Sequence, residues 1–232
     1  MRLVFASALA VSFIVSTPAF SNAQEASRSI SGGGVFAPGW TGAVDPNAAQ
    51  AGQTLKDAKF VKEGDTFHVT TGPAVTYWNP ANTASGNYTI KATFTEPKYM
   101  NLNTHPHPYG IVVAGSDMGK PQQSYLYCAA YGNGNFIVRG FGPEAFQMNG
   151  RRGEMNAAVH KAAGPGEPVT QEIAISVKGD RLECSINGTV VAGYDKAQLV
   201  APGKLKSLDG VYGLRFAHNT EVVVKDFGVT KQ

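Results

Sequence analysis

The sequence predicts an all-β protein, a single antiparallel β-sandwich. Three observations carry this. Apolar residues alternate with a period of two rather than 3.6 from Val35 onward. Clusters of Gly, Asn, Asp, Pro and Lys (KGD, NG, GNGN, PGK, LDG) cut the chain into about ten short alternating runs. No long stretch carries a helical pattern, which argues for one sandwich rather than two domains.

The runs follow one another along the chain. FHVTT (67–71), YTIKATF (88–94), YGIVVAG (109–115), SYLYCAAY (124–131) and NFIVRGF (135–141) come first. QEIAISVKG (171–179), RLECSING (181–188), VVAGYD (190–195), VYGLRFA (211–217) and EVVVKDFGV (221–229) complete the set. Within SINGTVV, the pair Asn187-Gly188 supplies the two positive-φ residues of a tight hairpin turn. Short helical candidates are confined to QAGQTLKDA near 50–58 and KAQLV at 196–200. The segment from Gly142 to Pro168 alternates little, and a loop of that length in a compact domain is expected to flank a functional site.

Ahead of the sandwich, residues 1–23 read as a secretory signal: Arg2, then the apolar run LVFASALAVSFIV, then small residues for cleavage. Cleavage is expected after Ala23, or alternatively after Ser21. The apolar run is shorter than the about 20 residues a spanning helix needs, and no lipoprotein-type cysteine follows. Residues 24–34 (QEASRSISGGG) read as a flexible leader, and residues 35–232 form the domain. An exported location follows, periplasmic or extracellular.

Charge narrows the partners. Arg2 is the only charged side chain in the signal, so its removal takes the net charge from +3 to +2. Lys and Arg are scattered, and neither a nucleic acid nor a membrane partner is implied. Oligomeric state is left open. Cys128 and Cys184 each share the phase of core residues, Leu126 and Leu182. A disulfide and two buried thiols both fit an exported chain.

Alternation sorts strand residues onto faces. With the apolar phase inward, Tyr125, Tyr127, Tyr131, Arg139 and Arg215 turn outward, as do Arg181 and Glu183. Aromatic rings beside fork-shaped guanidinium donors suit a carbohydrate ligand, which offers C–H faces to stack and hydroxyls to bond. Arg139, Arg215, Tyr127, Tyr125 and Asn219 are the candidate ligand contacts. His218 and Asn219 directly follow the Arg215 strand, and histidine is the side chain suited to acid–base work near neutral pH. His105 and His107 lie in NTHPHPYG, where Pro106 and Pro108 enforce an extended loop and turn both imidazoles the same way. Two histidines and a distant carboxylate suffice for a divalent ion. The simpler reading is a rigid pocket rim, so no metal ligand is assigned and the cofactor is left unknown. His218, His105 and His107 are the candidate catalytic residues, ahead of His160 and His68.

The run V-K-G-D-x-L-x-x-x-I-N-G-x-x-V, then D-G-x-x-G-L-R-F and V-x-V-K-D-F, resembles the concanavalin A-like jelly-roll families. With GWTGAVDP (39–46), FHVTTGPA (67–74) and GLRFAHN (213–219), the chain is most similar to the bacterial 3-keto-disaccharide hydrolase domain and its exported relatives, from about Gly39 to the end. The resemblance implies a jelly roll acting on or binding carbohydrate, with cleavage of 3-keto-glycosides as the activity. The alternative is a non-catalytic glycan-binding or structural module. Glu96, Asp117, Glu144, Glu154 and Glu183 are available carboxylates, but the E-x-D-x-x-E strand motif of concanavalin-like glucanases is absent, which counts against ordinary retaining chemistry. A 3-keto sugar needs only one base, because the ketone acidifies the neighbouring C–H. If His105, His107 and His218 converge near a carboxylate in one concave pocket, catalysis is favoured. If they scatter, a binding or structural role is favoured.

Overall fold

The computed structural model describes residues 25–231, so the expected signal lies outside the described residues. The strands are β1 (Gly34–Phe36), β2 (Thr41–Val44), β3 (Ala58–Glu63), β4 (Thr66–Thr71), β5 (Val75–Ala84), β6 (Tyr88–Glu96), β7 (Tyr109–Ser116) and β8 (Ser124–Ala130). They continue with β9 (Asn135–Phe141), β10 (Ala145–Gln147), β11 (Glu154–Met155), β12 (Val169–Lys178), β13 (Arg181–Ile186), β14 (Thr189–Asp195), β15 (Gly210–Phe216) and β16 (Glu221–Lys231). One sheet runs β1-β3-β4-β16-β6-β12-β13-β14; the other runs β10-β9-β8-β7-β15-β5-β2, with β11 on β9. The architecture is a two-sheet antiparallel jelly-roll sandwich, and the parallel pairing of β1 with β3 is the one exception among the described strand pairs.

Alternation places one phase of each strand between the sheets. Ile111 and Val113 of β7, Leu126 and Cys128 of β8, and Leu214 and Phe216 of β15 meet Ile173 and Ile175 of β12 and Leu182 and Cys184 of β13 in one core. Tyr77 stacks on Phe60 with ring centroids 4.3 Å apart, and Trp40 closes on Phe67 at 4.9 Å. Cys128 and Cys184 form a disulfide that ties the two sheets together. Its 56-residue sequence separation corresponds to about 4 kcal/mol of lost unfolded-chain entropy. At the β13–β14 turn, Asn187 and Gly188 take φ of +49° and +80°, as the hairpin signal requires.

Strands that the sequence signal does not reveal have a physical reason for their silence. β5 contains Pro80, which argues against a central strand. The register with β15 skips from Thr83 to Trp78, so the proline lies in the unpaired stretch between them and breaks no ladder bond. β1, β2, β10 and β11 are two to four residues long, too short to show a period. The expected helix near 50–58 resolves into α1 (Pro46–Gln50) and a 3-10 turn at Leu55–Asp57, while KAQLV contains α2 (Lys196–Leu199). None of the described helices is long and apolar enough to cross a membrane.

Glu96 ends β6 beneath the loop that leads to the histidine pair. It is 5% exposed; Oε1 accepts the Met100 N–H at 3.1 Å, and Oε2 has no partner among the described residues. Burial raises its pKa to about 7, against a weaker lowering by the Met100 bond. Between the ordinary carboxylate value of 4.5 and about 7, the folded protein holds a proton that the unfolded chain has released. Stability from this group is therefore full below 4.5 and lost as pH rises through 7. Glu96→Gln is expected to abolish that decline and to exceed the parent in stability at about pH 8 by on the order of 2 kcal/mol, read from urea unfolding. Parallel pH responses in parent and variant would contradict this.

Candidate functional site

The site lies on the outer face of the β15-β7-β8-β9 sheet. Registers place Arg215, Gly110, Ala129 and Ile137 in one row across the four strands, with Val112, Tyr127 and Arg139 in the next. Gly110 and Ala129 are the small members, and any side chain at Gly110 would run into the Cys128 carbonyl. Large residues flanking small ones leave a hollow, and surrounding loops deepen it to a cavity of about 760 Å³. Tyr127, Ile137, Arg139 and Arg215 line it from the strands; Arg151 and Arg152 come from the long 142–168 segment.

Arg215 is the charged floor. Its Nη1 and Nη2 donate to the Asp45 carboxylate at 2.5 and 2.6 Å, and Nη1 reaches Thr76 Oγ1 at 3.1 Å. The guanidinium lies 5.6 Å from the Tyr127 ring centroid and 5.5 Å from that of Phe141. Burial works against the charged form, but the Asp45 carboxylate outweighs it and raises the pKa of Arg215 further. Arg139 is held by neutral groups, with Nη2 donating to Gln147 Oε1 at 2.8 Å and a further hydrogen bond to Tyr127.

The three expected histidines converge at the other end. His105 Nε2 and His107 Nε2 are 2.8 Å apart. The His107 ring centroid lies 4.0 Å from that of His218, and His105 and His218 are 6.0 Å apart. Glu25 joins them, its Oε2 3.4 Å from His105 Nδ1 while accepting the Thr104 N–H at 3.2 Å. Asn103 Nδ2 lies 3.2 Å from His107 Nδ1, so Nε2 is the His107 nitrogen turned toward the cluster. Burial pushes the His107 pKa down to about 3, with His218 and His105 adding to the effect. Burial, then His105, also lowers that of His218, and Glu25 and Asp45 oppose them. Both rings are therefore neutral at neutral pH, with lone pairs to offer.

Asn219 and Tyr125 have other work than contact with a ligand. Asn219 is 1% exposed, and both ends of its amide are used: Oδ1 accepts the Arg28 N–H at 2.7 Å and Nδ2 donates to the Ala26 carbonyl at 3.0 Å. Tyr125 is 2% exposed, its hydroxyl 3.0 Å from Thr76 Oγ1, and it underlies the wall rather than lining the cavity. Arg181 and Glu183 belong to the opposite sheet and pair with each other, because alternation fixes a side within a strand but not the sheet. Glu25, Asp45, Asn103 and Thr76 were not among the residues singled out by sequence. Asp45 had a partial signal, standing before Pro46 in GWTGAVDP; Glu25 had none, standing in a segment of leader composition. Residues 25–28 of that segment are tied to the body through Asn219.

No protein-family model matches the chain, and no curated protein matches it in sequence. Among solved structures, the chain is similar in fold to a carbohydrate-binding module, CBM66, from Bacillus subtilis. The TM-score is 0.54 at 9% identity, covering 88% of this chain and 100% of that one. It is also similar to a Bacillus subtilis protein of unknown function with a galectin-like fold, with a TM-score of 0.53 at 11% identity, covering 83% and 89%. At such identities the likeness defines the fold class alone.

The Arg215–Asp45 pair permits a stability test. Asp45→Asn leaves a buried guanidinium without its counter-charge and is expected to cost about 3 kcal/mol. Adding Arg215→Met is expected to recover most of that loss in denaturant unfolding. A double variant no more stable than the single one would show that the pair is not the floor's organising contact.

Proposed function

We propose that this is an exported carbohydrate-active sandwich whose cavity takes a sugar, with 3-keto-glycosides as the substrate class. The observation that carries the reading is the meeting of two chemistries in one cavity. A Tyr127 and arginine wall suited to a sugar ring stands beside a cluster of neutral imidazoles. The resemblance in GLRFAHN and the closing strands supports the same class.

The chemistry asks little of the protein. A ketone at C3 of the sugar acidifies the hydrogen on C2. A neutral imidazole such as His218 accepts that proton, and the electron pair forms the enolate, whose oxygen the cationic wall stabilises. The enolate then expels the glycosidic oxygen from C1, and that oxygen leaves with a proton. Water adds across the resulting double bond to give the free keto sugar.

The purified protein incubated with 3-keto-glucosides and with their unoxidised parents, with and without added divalent metal, is expected to cleave only the keto sugars. His218→Ala is expected to lower the rate by about 100-fold or more. Binding of glycans with no turnover under any condition would reassign the chain as a non-catalytic module.

A further inference from the structure

We infer that His105, His107 and His218 form a binding site for one transition-metal ion of zinc type, with Glu25 orienting His105. One ligand atom from each of the three histidines and from Glu25 fits within a span of 4.8 Å. A tetrahedral ion with metal–nitrogen distances of about 2.0–2.1 Å sets its donors a little over 3 Å apart, within reach of small side-chain adjustments. His218 Nε2 is buried with no hydrogen-bond partner among the described residues, in a residue 9% exposed. A buried polar atom with no partner is costly, and an ion at the cluster satisfies it.

The Glu25 contact matches that of a metal-bound histidine. Such a ring offers one nitrogen to the ion and donates its other N–H to a carboxylate, a backbone carbonyl or water. His105 meets Glu25 through Nδ1 and His107 through Nε2. Both Nε2 atoms thus turn to a common point. Three imidazoles favour zinc, cobalt or nickel over calcium or magnesium, which prefer oxygen. Three protein ligands leave a fourth position open, and it faces the cavity that Arg139 and Arg215 line.

The site stands independently of the sugar reading. If both hold, the ion would polarise the keto oxygen in place of the cationic wall, and a hydroxide, formed when water on the ion gives up a proton to solvent, would accept the C2 proton and become water again.

The test uses the purified protein stripped with a chelator and titrated by calorimetry with zinc chloride, then calcium chloride. One zinc per chain and no comparable calcium binding are expected. His105→Ala, at an exposed position, is expected to weaken zinc by about 100-fold or more, and Glu25→Gln by about 10- to 100-fold. Circular dichroism checks that each variant is folded. Glu25→Gln keeps the test decisive if a histidine variant fails to fold. Absence of zinc binding by the parent, or unchanged affinity in folded variants, would overturn the site. Zinc binding without keto-sugar cleavage would overturn only the sugar reading, and metal-independent cleavage by a protein that takes no zinc would overturn only the site.

Discussion

The site depends on one side chain that never touches the cavity. Asn219 sits in the left-handed region at φ +51°, which asparagine tolerates better than most residues. From there it makes bonds that no sheet supplies. Its amide holds the 25–28 segment at Ala26 and Arg28, and its carbonyl accepts from Asn103 Nδ2 at 2.9 Å. Its own N–H bonds the Gly72 carbonyl. One turn thereby gathers the segment that brings Glu25, the loop that brings His105 and His107, and His218 beside it in sequence. Thr71 and Thr220 brace the same turn, with Thr71 Oγ1 donating to the Ala217 carbonyl at 2.6 Å and accepting the Thr220 N–H at 2.9 Å.

The sandwich supplies what this clamp cannot. Its core fixes β7, β8, β9 and β15 as a rigid platform, and the disulfide ties that sheet to its partner through the centre. On the outer face, the Arg215–Asp45 pair with Thr76 and Tyr125 forms a satisfied polar floor. Such a network inside a low-dielectric setting holds position well, since each member loses heavily if displaced. The cavity therefore has a stiff floor from strands and walls from loops, the usual division between scaffold and site.

The fold was legible because period-two alternation is repeated strand after strand. Residues whose positions are fixed by alternation came out on the expected faces, including Tyr127, Arg139, Leu214, Arg215 and Phe216. The three histidines were legible as chemistry-bearing types in constrained local sequence. What the sequence hid is long-range: Glu25 reaches His105 across 80 positions, and Asp45 reaches Arg215 across 170. No local pattern encodes such a contact. Asn219 looked like a ligand contact because it follows His218, yet burial and a left-handed backbone make it a clamp. Tyr125 shares the outward phase of Tyr127 but lies beneath Phe141, 5.1 Å between ring centroids, which alternation cannot foresee.

Asn219 assembles the site. Hydrogen exchange of Asn219→Gly, which keeps the backbone conformation accessible and deletes the amide, tests it most directly. The Arg28 amide and its neighbours are expected to lose protection while the amides of β7, β8 and β15 keep theirs. Unchanged protection of residues 26–28 in that variant would contradict it.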